Sequence, residues 1–217
     1  MDTRPVSFAG EHLLLHPDRA LYWPVRQTLL LSDLHIGKSG HFRKAGIPIP
    51  AQVQADDLDR LSGLIRDFLP RRVAIVGDLF HAGINQDMEQ FRTWRMQLPA
   101  LSFVLVRGNH DRLSEATYRD LGIDLVCEQL SEGPFDLVHQ PVPRTSVARH
   151  TISGHLHPGV AVRTRDRQTL RLPCFWLSGY CLTLPAFSRF TGLYLVEPGP
   201  ADQVFAIAED TILPLHG

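Results

Sequence analysis

Histidine stands out in this chain of 217 residues, with 11 copies, and several imidazoles stand beside carboxylates at short spacings. Asp33 and His35 are two positions apart, and His155 and His157 repeat that spacing. Side chains two positions apart on a strand end lie on the same face, so each pair could bind a single ion. Imidazole and carboxylate ligands suit Mn, Fe or Zn, and the three cysteines form no Cys-x-x-Cys pair that would favour thiolate binding. These residues therefore predict a metal site.

The same residue types recur directly after other short apolar runs: Gly77-Asp78, Gly108-Asn109-His110-Asp111, and His139. In α/β sheets, functional groups collect just beyond the carboxyl ends of the strands. So many polar groups at strand ends would carry a heavy desolvation cost unless metals or partners satisfied them. Gly108 and Gly154 fit sharp turns where the backbone lies close to an ion. His150 competes with His139 as a ligand, and we prefer His139 because it directly follows a buried run.

The elements that must position these residues are visible as apolar patterns. Short runs rich in Val, Ile, Leu and Phe predict strands buried on both faces at 29–31, 73–76, 103–106, 123–126 and 135–138. Apolar residues at three- and four-residue spacing predict helices at 53–68, before Pro70, and at 88–98, before Pro99. Strands alternating with helices are typical of an α/β sheet with crossover helices.

The flanking segments are richer in strand patterns. Residues 6–28 predict a hairpin with its turn at Pro17-Asp18. From residue 152 onward, strand patterns recur at 160–162, 170–177 and 192–196. We therefore predict a single domain over 1–217, with a mixed sheet, helices outside it, and a second sheet made largely from the C-terminal half.

The composition is that of an ordinary soluble globular protein, with 44% apolar and 21% charged residues. No apolar stretch is long enough for a membrane helix and the N-terminus shows no secretory signal, so we predict a cytoplasmic protein with no membrane partner. Cys127, Cys174 and Cys181 fit buried, reduced thiols. The net charge of −1 gives no global basic field, although local patches could still bind phosphate.

The ligand segments, in order, resemble the five motifs of the calcineurin-like metallophosphoesterases: D-x-H, G-D, G-N-H-D/E, a lone His, and G-H-x-H. The resemblance implies an α/β, calcineurin-like four-layer αββα sandwich, with two mixed β-sheets flanked by helices. It also implies two divalent metal ions, with Mn preferred and Fe or Zn as alternatives. Metal one would be held by Asp33, His35, Asp78 and His157, and metal two by the bridging Asp78 with Asn109, His139 and His155.

The same resemblance assigns catalytic roles to His110 and Asp111. In the family, the histidine of the G-N-H motif stays off the metals and faces the leaving group. His110 would therefore be the general acid or a charge stabiliser. Asp111 would orient its ring and raise its pKa.

Segments outside the metal motifs resemble the ligase-associated DNA metallophosphoesterases, over nearly the whole chain from Gly10 to Val196. The matching segments are 33–38, 42–50, 154–159, 172–176, 184–187 and 190–192. This resemblance implies metal-dependent cleavage of DNA phosphodiesters in repair, alongside a DNA ligase and a helicase. It leaves room for a homodimer.

Substrate contacts are predicted at Lys38, Arg43 and His81. The first two belong to a local basic cluster, with His41 and Lys44, just after the first ligands. This cluster is either a solvated loop or a contact for a phosphate backbone. His81 recurs at the same place in nucleases of the same superfamily, which this motif resembles.

The sequence is compatible with two other functions. One is a phosphoesterase for small nucleotides or phosphoproteins, and the other is a non-catalytic binding module on the same scaffold. The complete ligand set and His110 argue against the binding module. Four arginines alternate along the predicted C-terminal hairpin, where we interpret them as its solvated face: Arg163, Arg165, Arg167 and Arg171.

Overall fold

The N-terminal half forms a seven-stranded sheet in the computed structural model, which describes residues 2–38, 40, 46, 52–81, 86–142, 149–163 and 166–215. Its strands, in spatial order, are β1 (Arg4–Phe8), β2 (Glu11–His16), β3 (Ala20–Trp23), β4 (Thr28–Leu31), β5 (Arg72–Val76), β6 (Ser102–Val106) and β7 (Leu125–Cys127). The first four are antiparallel neighbours, which confirms the predicted hairpin. Strands β4 to β7 run parallel. Strands β4 to β6 are largely buried, as their unbroken apolar sequence predicts, whereas β7 begins at Leu125 instead of residue 123 and is exposed to half-buried.

Three described helices connect the parallel strands: α1 (Val53–Phe68), α2 (Gln86–Arg95) and α3 (Glu115–Asp120), with a short 3-10 helix at Pro24–Arg26. The predicted helix at 53–68 is confirmed by α1. The helix predicted at 88–98 ends earlier, at Arg95. There the last turn tightens, because Gln97 N donates to Trp94 O and Leu98 N donates to Arg95 O, each bond spanning three residues.

The C-terminal half forms a second, nine-stranded sheet. Its strands are β8 (Gln129–Glu132), β9 (Phe135–Val138), β10 (His150–Ser153), β11 (Pro158–Arg163), β12 (Thr169–Ser178), β13 (Cys181–Thr183), β14 (Tyr194–Leu195), β15 (Gln203–Ala208) and β16 (Thr211–Leu215). The main order is β14-β11-β12-β13-β10-β9-β8, and β15 joins β12 and carries β16. Strands β9, β10 and β13 are parallel neighbours, and β11 and β14 also pair in parallel, while the remaining pairs are antiparallel.

The first sheet lies between the described helices and the second sheet. On one of its faces, side chains such as Val73 and Phe103 pack against Leu61 of α1. On the other face, residues such as Val76 pack against the second sheet, for example against Phe175. The predicted fold class, two mixed sheets flanked by helices in a calcineurin-like fold, is confirmed. None of the described helices combines the length and apolarity that crossing a membrane requires.

Candidate metal centre

The carboxyl ends of strands β4, β5, β6, β9 and β10 meet at one edge of the sandwich, termed here the ligand edge. Within each sheet these strands are parallel neighbours. Backbone hydrogen bonds hold the departing loops side by side: Asp33 N donates to Gly77 O at 3.1 Å, and Gly154 N donates to His139 O at 3.1 Å. The segments predicted to carry ligands therefore leave both sheets at the same place.

A first cluster at this edge consists of Asp33, His35 and His157, each offering one ligand atom within 4.8 Å of the others. The two Nε2 atoms of His35 and His157 lie 3.3 Å apart. His157 Nε2 also lies 3.7 Å from Asp33 Oδ1. The Asp33 side chain is completely buried, which suits a ligand that must be shielded from water.

A second cluster consists of Asp78, His139 and His155, with ligand atoms again within 4.8 Å of one another. His139 Nε2 lies 3.0 Å from His155 Nδ1 and 3.6 Å from Asp78 Oδ2. Asn109 Oδ1 lies 3.0 Å from the same His139 nitrogen and so belongs to this cluster. His139 Nδ1 is 3.9 Å from Asp33 Oδ1, so the two clusters adjoin.

Each carboxylate is oriented by one backbone N–H from a different motif. His155 N donates to Asp33 Oδ2 at 3.0 Å, and His110 N donates to Asp78 Oδ1 at 2.9 Å. Asp33 Oδ1 is buried and has no hydrogen-bond partner among the described residues. A buried carboxylate oxygen without a donor is costly, and a cation would offset that cost. The orphaned oxygen and the imidazole-carboxylate donor set therefore fit divalent metals.

Burial sets the protonation state of the imidazoles. It lowers the pKa of His35 to about 3, and it also lowers the pKa of His139. Burial raises the pKa of Asp33, but the neighbouring His157 and His139 lower it by a larger amount. The pKa of Asp33 is therefore below its ordinary value. Neutral imidazoles beside an ionised carboxylate are the forms that bind a metal.

Five of the predicted ligands have backbone angles that L-residues rarely adopt. The φ angles are +53° at Asp33, +50° at His35, +41° at Asp78, +68° at His155 and +51° at His157. Such left-handed conformations each cost on the order of 1 kcal/mol and persist only where the surroundings impose them. Their concentration at the ligand edge indicates that these loops adopt strained conformations that bring the ligand side chains together.

Glycines leave the space that the ligands fill. Gly77 has a φ of +87°, and a Cβ there would lie 1.7 Å from His139 Nδ1. A Cβ on Gly108 would lie 2.1 Å from Asp78 Oδ1. The sequence predicted a close approach at Gly108 but did not single out Gly77, although its place directly before an aspartate after a buried run was an available signal.

We expect Gly154→Ala to weaken metal binding by about 10- to 100-fold, the loss typical of changes next to a ligand. A Cβ there would lie 2.6 Å from Asp33 Oδ2 and 2.7 Å from Val76 O, so the carboxylate must shift. Calorimetric titration with Mn²⁺ measures the change. Gly63→Ala in α1 is the control, since a Cβ there would lie 3.9 Å from Arg66 Nη2, an ordinary van der Waals contact. Wild-type affinity in the Gly154 variant would contradict the prediction.

His110 lies at the open side of the centre. It is exposed, and its ring centroid is 5.9 Å from that of His35 and 4.7 Å from that of His81. No ligand atom of His110 belongs to either cluster. An exposed imidazole beside a metal centre can exchange a proton with a leaving group, as predicted for this residue.

Asp111 makes contacts other than the predicted one. Its buried carboxylate accepts backbone hydrogen bonds from Gly108 N at 2.9 Å, Phe80 N at 3.0 Å and Leu79 N at 3.2 Å. The hydrogen bonds of Asp111 to described residues go to these backbone N–H groups, and the expected bond that would orient the His110 ring is not among them. Instead, Asp111 joins the loops after β5 and β6. Burial raises the pKa of Asp111 to about 6.

The predicted substrate residues lie in different places. His81 reaches the centre, with its ring centroid 5.6 Å from that of His35. Lys38 is half-buried directly after the first cluster, and its N–H donates to His35 O at 3.0 Å. Arg43 lies outside the described residues, as do His41 and Lys44.

His150, the rejected alternative to His139, lies away from both clusters. Its ring meets the edge of the Phe8 ring, with 5.2 Å between centroids. Of the cysteines, Cys174 and Cys181 are buried and Cys127 is half-buried, and all three are free thiols.

Two arginines that the sequence did not single out bind the loop of Phe187 and Ser188, which lies next to the first cluster. Arg19 donates to Ser188 O at 3.0 Å, and Arg60 donates to Phe187 O. The same loop is tied to the first ligand, because Ser188 N donates to Asp33 O at 3.3 Å. Nothing in the local sequence signals these contacts, since Arg19 and its acceptor are separated by 169 positions.

Comparison with known proteins identifies related chains. Residues 27–136 match the family model described as calcineurin-like phosphoesterase. A crystal structure of Pseudomonas putida nuclease MPE is similar, with 32% sequence identity, a TM-score of 0.82, and coverage of 99% of this chain and 100% of that one. No curated protein matches the chain.

Two more distant solved structures share 15% identity with the chain. One is the phosphoesterase Yfce from E. coli, with a TM-score of 0.45 over 87% of this chain and 97% of that one. The other is protein AQ665 from Aquifex aeolicus, with a TM-score of 0.40 over 60% of this chain and 78% of that one.

Proposed function

The chain belongs to the calcineurin-like phosphoesterase family, and on that premise we propose that it hydrolyses phosphodiester bonds in DNA with two divalent metal ions. The family makes it a metal-dependent hydrolase of phosphoesters. The observation that carries the proposal is the pair of adjoining ligand clusters at the ligand edge. DNA as the substrate is supported by the 32% identity to a nuclease over 99% of the chain.

In this proposal, each ion takes its ligands from both sheets. One is held by Asp33, His35, Asp78 and His157, and the other by Asp78, Asn109, His139 and His155. Asp78 would be a ligand of both ions, and its Oδ1 also accepts a hydrogen bond from His110 N. Two divalent ions held by these residues would supply a water of lowered pKa and would stabilise the attacking and leaving oxygens. We propose Mn²⁺ for both positions, with Fe and Zn as the other metals that this donor set accepts.

The protein side chains would complete the reaction. His110, exposed and next to the clusters, would donate a proton to the departing sugar oxygen. His81 and Lys38 flank His110 and the first cluster and would contact the substrate phosphate. Asp111 would act through the loops that it joins. We further propose action in the cytoplasm during DNA repair, in company with a DNA ligase and a helicase, with a homodimer as the oligomer to test.

We expect Mn²⁺-loaded protein to cut single-stranded, nicked or duplex DNA, with a KM that rises steeply as salt concentration rises. Release of counterions from the phosphate backbone is the reason. The measurement compares the rates of hydrolysis of these DNAs with those of bis-p-nitrophenyl phosphate and nucleoside monophosphates. Each divalent metal is tested in turn. Hydrolysis of the small esters with all DNA left intact would overturn the DNA proposal and favour a phosphoesterase for small nucleotides.

A further inference from the structure

Strands β11 and β12 form a hairpin that begins directly after the ligand His157. We term residues 158–163 and 166–173 the arm. Its register pairs Gly159 with Pro173 at the base and Arg163 with Thr169 near the tip. The arm is anchored by β14, where Tyr194 N donates to His157 O at 3.0 Å.

The arm projects past the ligand edge. Strand β13 is parallel to β10, whose carboxyl end leads to His155, and β12 runs antiparallel to β13. The pairing of β12 with β13 covers only Trp176 to Ser178. Earlier residues of β12 therefore extend beyond the end of β10, on the side where the ligands lie. At about 3.4 Å per residue, the four steps from Pro173 to Thr169 add roughly 14 Å.

The two faces of the arm differ in composition. Val160, Val162 and Leu172 pack into the apolar cluster on the outer face of the second sheet. Because side chains alternate along a strand, Arg163 and Arg171 lie on the opposite face. That face continues the one that carries Phe175 and Leu177, which packs toward the first sheet. The two arginines therefore lie on the face of the arm that is continuous with the inward face of the second sheet, beyond the end of β10.

These arginines are available to bind a ligand. Arg163, Arg171 and the turn residue Arg167 are all exposed. None of the three has a hydrogen bond or ion pair with any residue that the structure describes. Asp166 at the tip is the only carboxylate in the described part of the arm. A guanidinium binds phosphate through two parallel hydrogen bonds, so the face suits a polyanion better than a neutral ligand.

We propose that the arm binds the phosphate backbone of the DNA strand where the strand leaves the metal centre. Arg163 and Arg171 make the contacts. The inference rests on the proposed function and adds to it the surface that holds a long substrate. The arm would favour polymers over mononucleotides, because a small ester that occupies the metal centre does not reach the tip.

The test is the double variant Arg163→Gln/Arg171→Gln, with Arg4→Gln/Arg66→Gln as a control of equal charge change on exposed arginines elsewhere. We expect KM for single-stranded DNA to rise about tenfold, with kcat unchanged. The slope of log KM against log salt should fall by about 1.4, since each neutralised phosphate contributes about 0.7 for single strands. Hydrolysis of bis-p-nitrophenyl phosphate should equal that of the wild type and show that the variant is folded.

The lysine pair Arg163→Lys/Arg171→Lys should keep the salt slope, because the charge is retained. If DNA cleavage by the wild type is salt-dependent and the glutamine pair behaves like the control pair, the arm proposal is overturned while the proposed function stands. If the wild type leaves all DNA uncut, both proposals fail together. A fall in kcat on the small ester as well would also contradict the arm, because it would place these residues in the metal centre.

Discussion

Asp78→Asn is expected to reduce hydrolysis of DNA and of small phosphodiesters by more than about 100-fold, beyond the loss typical of changes one layer outside a ligand. The carboxylate would be a ligand of both ions; its Oδ2 lies 3.6 Å from His139 Nε2, and its Oδ1 accepts a hydrogen bond from His110 N. An amide keeps the shape but removes the charge that both cations need. Metal content, measured on protein dialysed against Mn²⁺, should fall below two ions per chain.

The variant should still fold, since removing a charge from a buried site without its metal does not destabilise the apoprotein. Thermal unfolding in the presence of a chelator tests this directly. Asp59→Asn, at an exposed position of α1, is the matched control and should keep full activity and metal content. Full metal content in the Asp78 variant would contradict the assignment of Asp78 as the shared ligand.

His110→Gln should lower kcat for DNA by about 100- to 10,000-fold, the range for loss of a general acid, and leave metal content unchanged. The reason is that His110 lies outside both ligand clusters but next to them. The loss should be much smaller with bis-p-nitrophenyl phosphate, because nitrophenolate leaves without a proton. The ratio of the two losses is therefore the diagnostic quantity.

The control for His110 is His12→Gln, a change at an exposed histidine that lies 3.2 Å from Ser7 Oγ and far from the ligand edge. It should behave as the wild type on both substrates. Equal losses on DNA and on the nitrophenyl ester in the His110 variant would argue that the residue positions the substrate rather than donates a proton.

The sequence predicted the ligand edge well because two simple patterns coincide there. Unbroken apolar runs such as Leu29 to Leu31 specify buried parallel strands, and parallel strands bring their carboxyl ends together. The ligand types then specify the chemistry. Both patterns are local in the chain, so they are readable without knowledge of the fold.

Contacts between distant segments could not be predicted in this way. The Asp111 carboxylate meets backbone N–H groups on another loop, 31 and 32 positions away, rather than the neighbouring ring. Arg60 meets a carbonyl group 127 positions away. The orientation of such side chains depends on which backbone donors and acceptors the folded chain leaves unpaired, which no spacing in the sequence encodes.

Each ligand cluster contains residues from both sheets, and this links metal supply to the amount of folded protein in the cell. A metal bound to Asp33 and His157 would join segments that are 124 positions apart in the sequence, as a cross-link across the sandwich. Metals that bind only the folded chain stabilise it by an amount that grows with the logarithm of their free concentration once this exceeds the Kd. Metal starvation would then lower the abundance of the protein through turnover of its unfolded form, as well as its activity. The supply of the cofactor would set how much enzyme exists.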